Sequence, residues 1–184
     1  MGIGANAYTF AGATTYSNSG GGGNGGSGEG DNTFVPWERA VTDAKWPTLV
    51  IEAGVSQSLA SLRNKMAWWF RASEHEVKIV LIMKVDQDAR TIRLWKYTKD
   101  FPQTRNGATR TRAMPNLEPH LCQEIQIVPQ PDNGGLAQYD VIGGPLHLEF
   151  ALLLLRPADP ARGEHDIEIS AGELAGVAEF VFAG

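Results

Sequence analysis

Cysteine is almost missing from this chain. Cys122 stands alone, so no internal disulfide and no cysteine zinc cluster can form. That usage predicts a reducing, intracellular compartment, cytoplasmic or nuclear. Long apolar runs are also missing. The longest, Phe150 to Leu155, is far shorter than the roughly 20 residues that cross a bilayer, so no membrane-spanning helix is expected. No basic stretch followed by an apolar one opens the chain, which excludes a recognisable secretory signal. Basic residues are in deficit, 16 Lys and Arg against 21 Asp and Glu, for a net charge of −5. A protein coated in positive charge for nonspecific nucleic-acid binding is excluded, whereas a local basic groove is not. His75, His120, His147 and His165 are scattered without metal-ligand spacing and receive no role.

What remains suits a globular domain. The 184 residues are 42% hydrophobic, enough for one core. Glycine is concentrated in Ser19 to Gly30, which reads as a flexible loop. It is not a phosphate cradle, because no Lys-Ser or Lys-Thr closes it and no helix follows. The expected organisation is a β-like piece plus this loop over 1–30, then one domain over 31–184.

Strands are expected at Thr33 to Val35, Trp46 to Ala53, Val77 to Val85, Arg90 to Tyr97 and Glu124 to Val128. Asp86 to Ala89 forms a hairpin turn and Asp132 to Gly135 another turn. Gln57 to Arg71 reads as a helix, because Leu59, Leu62, Met66, Trp69 and Phe70 make one apolar stripe. Ser56 or Ser58 can cap it. Leu146 to Leu155 is a strand or a short helix. Ser170 with Glu173 forms a capping box, and Leu174, Val177, Ala178 and Val181 give the inner face of the last helix. The fold class is α+β or α/β, a single mixed β-sheet flanked by helices.

The chemistry concentrates in WPTLVIEAGVSQSLASLRNKMAWWF, Trp46 to Phe70. Glu52 directly follows the buried run Leu49-Val50-Ile51, where a carboxylate is costly unless paired, hydrogen-bonded or metal-bound. Asp31 opens the preceding strand in EGDNTFVP, and Lys65 flanks the apolar stripe of the following helix. If the two strands form a hairpin, the two acids converge at one sheet end. Plainer readings exist for each. Glu52 can pair with Lys78 or Lys84, Asp31 can be a turn residue, and Lys65 can snorkel. Arg105, Arg110 and Arg112 make the densest basic stretch, either a solvated loop or a phosphate-gripping, nucleic-acid-binding arm. Of the adjacent Trp68 and Trp69, one is expected in the core and the other partly exposed. Cys122 reads as a core residue.

These segments resemble the PD-(D/E)XK nuclease superfamily, of restriction-endonuclease-like fold. The resemblance is carried by EGDNTFVP at 29–36, WPTLVIEAGVSQSL at 46–59, RNKMAWWF at 63–70 and EVKIVLIMKV at 76–85. GGPLHLEFALLLLRP at 143–157 and EHDIEIS at 164–170 match more weakly. The closer likeness is to a group common in filamentous fungi, related to bacterial restriction-endonuclease-type proteins. It implies a Mg²⁺-dependent phosphodiesterase acting on nucleic acid, DNA above all, with Mn²⁺ as substitute. It implies Asp31 and Glu52 as metal ligands and Lys65 as the residue that orients or activates water. Two residues after Glu52 stands Gly54 rather than the motif lysine. The bacterial group supplies that lysine from the following helix, and Lys65 fits the migrated position. The helix that family members carry before the first strand has no counterpart in this glycine-rich N-terminus. A rival expectation is a catalytically silent module of the same fold, acting in binding or assembly. A third is a homo-oligomer, a homodimer at its simplest, joined through the aromatic helix.

Overall fold

The computed structural model describes residues 8–11, 14–17, 27–42, 46–100, 118–131 and 138–183. Its centre is a seven-stranded mixed sheet. The strands are β1 (Tyr8–Ala11), β4 (Asn32–Pro36), β5 (Leu49–Gly54), β6 (Ile79–Asp86), β7 (Thr91–Asp100), β8 (Glu118–Pro129) and β9 (Tyr139–Ile142), in that spatial order. Only β5 and β6 run parallel. Their link is α2 (Leu59–Ala72), as a parallel pair requires a crossover. The remaining neighbours are antiparallel. Two short ribbons accompany the sheet, β2 (Thr14–Ser17) with β3 (Ser27–Gly30), and β10 (Leu146–Leu148) with β11 (Ile167–Ile169). The helices α1 (Trp37–Ala40), α3 (Phe150–Leu154) and α4 (Ala171–Val181) complete an α+β fold.

The central strands are buried on both faces, which is why they read as continuous apolar runs. Leu49, Ile79, Leu81, Ile92 and Leu94 face one core, closed by Phe150 and Leu153 of α3 and by Leu174 and Ala178 of α4. Val50, Val80, Ile82, Trp95 and Tyr97 face a second core, closed by Leu62, Met66, Trp69 and Phe70 of α2 and by Tyr16 of β2. Ser58 caps α2 by accepting from Ser61 N at 3.2 Å. Ser170 and Glu173 form the expected capping box of α4.

Several expectations need correction. Ser27–Gly30 is strand, not loop, while 18–26 lie outside the described residues. The glycines there allow close approach rather than slack. A Cβ on Gly28 would lie 2.1 Å from the Trp68 ring, so the bare backbone is what lets the ribbon seat on α2. Leu146 to Leu155 divides into β10 and α3, ending at Leu155 with φ of 59°. The apolar run alone could not show that break. Val177 is exposed instead of facing inward, because α4 needs only a narrow contact beside β9. Cys122 is exposed rather than in the core, at the register shift between β7 and β8. The turn expected at Asp132 to Gly135 lies outside the described residues. No helix among the described residues is long and apolar enough to cross a membrane.

Candidate active site

Glu52 is the fourth residue of β5. Strand alternation puts it on the same side as Val50, under α2, where it is 0% exposed. A buried carboxylate must be compensated, and α2 does so from one face. Lys65 and Trp69 stand four positions apart, one helical turn. Lys65 Nζ donates to Glu52 Oε2 at 2.8 Å, and Trp69 Nε1 donates to Glu52 Oε1 at 2.6 Å. Lys78 and Lys84 do not fill this role. Their ammonium groups donate to the carbonyls of His75 and Val55.

Asp31 approaches from the residue just before β4. In the antiparallel β4–β5 pair Asn32 is opposite Ile51, and Asp31 precedes the first paired position. The Asp31 side chain is tied down, since its Oδ2 accepts from Ala53 N at 2.7 Å. The structure joins Lys65 to Glu52 and ties Asp31 to the backbone of the residue that follows Glu52.

Gly54 closes β5 on the same face as Glu52, two residues on, where α2 packs. A Cβ at position 54 would lie 3.1 Å from Leu62 Cδ1 and 3.3 Å from Gln57 Cβ, so a side chain there would need its neighbours to give by a few tenths of an ångström.

The site is electrically lopsided. The Lys65 ammonium is held above the ordinary lysine range, chiefly by its hydrogen bond to Glu52 and further by attraction to Glu52, Asp31 and Glu29, against the opposing cost of partial desolvation. Lys65 therefore stays charged at neutral pH. Glu29, on β3 opposite Thr15, was not singled out from sequence. Only the ribbon pairing brings it near. Trp69 was likewise read only as a core residue. Its distance of seventeen positions from Glu52 gives no local signal of their bond.

A divalent cation can be weighed against this donor set. A carboxylate offers about four lone-pair sites. The bonds from Lys65 and Trp69 take two of those of Glu52, and the Ala53 bond takes one of those of Asp31. Oxygen donors therefore remain, and the hard oxygen chemistry suits Mg²⁺, which is usually held by one or two carboxylates with water and phosphate. Among the described residues no group of three or more His, Cys, Asp or Glu is arranged to hold a metal by itself.

Arg105, Arg110 and Arg112 lie outside the described residues. The strands that lead to them can be followed. Trp95 pairs with Ile82, beside Glu52, and β7 runs five residues onward to Asp100. At about 3.4 Å per residue that is roughly 17 Å from the Glu52 row.

No protein-family model matches the chain, and no curated protein does. Among solved structures, one from Anabaena variabilis is similar, described as a "putative nuclease belonging to DUF820". It is 12% identical with a TM-score of 0.43, over 94% of this chain and 70% of that one.

Proposed function

We propose that this chain is a restriction-endonuclease-like, Mg²⁺-dependent phosphodiesterase of the PD-(D/E)XK type, akin to the filamentous fungal group its sequence resembles, and that it cleaves DNA. One observation carries the reading. A fully buried glutamate in β5 holds a helix lysine at 2.8 Å, with an aspartate hydrogen-bonded to the backbone of the next residue of that strand. Asp31 and Glu52 would hold Mg²⁺, or Mn²⁺ in its place. When bound, the cation supplies charge neutralisation at the scissile phosphate and a more acidic water.

The chain's own residues do the rest. Lys65, kept protonated by the surrounding acids, offers hydrogen bonds and one positive charge to a phosphate oxygen or to the attacking water. It is 38% exposed along its side chain, so it can meet substrate without leaving Glu52. Arg105, Arg110 and Arg112 would grip the nucleic-acid backbone.

A second reading is favoured by a different observation. Glu52 is already satisfied internally on both oxygens. A silent member of this fold, acting as a binding or assembly module or as a homodimer, would keep the trio to hold β5 against α2. Cleavage assays separate the two. The enzyme cuts DNA in Mg²⁺ or Mn²⁺, stops in EDTA, is nearly inactive in Ca²⁺, and is abolished by Glu52→Gln. Absence of cleavage on single-stranded, double-stranded and branched DNA, with no metal binding by calorimetry, would establish the silent module.

A further inference from the structure

We propose that Trp69 is a positioning residue for Glu52, its indole N–H pinning Oε1 so that Oε2 is the oxygen presented at the Lys65 side of the site. Its effect on catalysis rests on the phosphodiesterase reading above; its effect on Glu52 does not.

The bond is short, 2.6 Å. Indole nitrogen can only donate, so it fixes Oε1 as an acceptor. The ring is in turn immobilised. Trp69 is 1% exposed. Tyr16 stands edge-on at 5.5 Å between centroids, Trp46 at 6.1 Å and Trp68 at 4.9 Å. Gly30 lies beside the ring, where a Cβ would be 3.4 Å from Trp69, an ordinary contact distance. Val50, Leu62 and Ile82 of the same core are apolar. The carboxylate orientation is therefore set by an aromatic clamp built from Tyr16 of β2, Trp46 ahead of β5, and Trp68 and Trp69 of α2. Residues that orient a metal-binding carboxylate typically matter about 10–100-fold in metal affinity or activity.

The test uses the full chain with Trp69 replaced by β-(3-benzothienyl)alanine, which keeps the bicyclic shape and lacks the N–H. Trp69→Phe serves as a second variant. Two measurements are made. A metal-free crystal structure of the isostere shows whether Glu52 keeps its contact with Lys65. We expect the carboxylate to rotate or occupy more than one conformer; an unchanged Glu52 overturns the proposal. Calorimetric Mn²⁺ titration then reads the consequence. We expect affinity to fall about 10–100-fold in both variants. An isostere that binds Mn²⁺ as the parent protein does also overturns the proposal. If the parent protein itself takes no Mn²⁺, the phosphodiesterase reading fails, and the crystal structure alone decides the positioning role.

Discussion

Lys65→Met isolates the ion pair on which the site depends. The substitution removes the ammonium and keeps the packed stem. What it leaves is Glu52, 0% exposed, with the Trp69 hydrogen bond but no charge partner. Breaking a fully buried pair costs about 3–5 kcal/mol, whereas an exposed pair is worth about 0–1 kcal/mol. This pair lies between those limits, because the Lys65 side chain is 38% exposed and that of Glu52 only 1%. A loss of about 2 kcal/mol follows from that interpolation. With a urea slope of about 2 kcal/mol per molar, the unfolding midpoint falls by about 1 M at pH 7. In a Glu52→Gln background no buried charge is stranded, and Lys65→Met should then cost less than about 0.5 kcal/mol. Urea denaturation of the four proteins gives the coupling directly. Equal losses in the two backgrounds would refute the claim that Lys65 compensates Glu52.

Gly28→Ala should destabilise by about 1–3 kcal/mol through overpacking on Trp68, lowering the melting temperature by about 2–4 °C per kcal/mol; an unchanged melting temperature would mean that the ribbon does not seat there. Arg156 bonds both oxygens of Glu164, at 2.6 and 2.7 Å, and holds its carboxyl at about 2, down from 4.5. That contribution is present above pH 4.5 and lost as pH falls towards about 2, so Glu164→Gln should flatten melting temperature against pH across this window. His75 is pushed below its ordinary 6.5, by partial burial first and then by Lys99 and Lys78. Its neutral form stabilises the fold above that pH and the contribution is lost on acidification, so His75→Gln should weaken the pH dependence below about pH 6.5, read by urea midpoints.

Most of the sheet could be read from local pattern. The runs at Leu49 to Ile51 and Val77 to Val85 are buried on both faces, so apolar content alone marks them. The α2 stripe and the Ser170–Glu173 cap carry their own periodicity and spacing. The antiparallel pairing of the strand after Asp31 with β5 was only a condition in the sequence, because residues 37–48, α1 among them, separate the two strands. The shortest strands were not legible. β9 spans four residues and β11 three, too few for a period to show. The ribbon at Ser27–Gly30 looked like a tether, because glycines placed for contact with an indole resemble glycines placed for flexibility. Within the site, charge type and position betrayed Asp31, Glu52 and Lys65. Trp69 stayed hidden behind its apolar spacing, since nothing local shows where an indole N–H points.

The central claim is that Asp31 and Glu52 share one divalent cation. Crystals soaked in Mn²⁺ and measured at the manganese absorption edge test it most directly. The account predicts a single anomalous peak bonded to a carboxylate oxygen from each acid, at about 2.1 Å, and its loss in Glu52→Gln. Saturating Mn²⁺ that leaves no peak between the two carboxylates would contradict it.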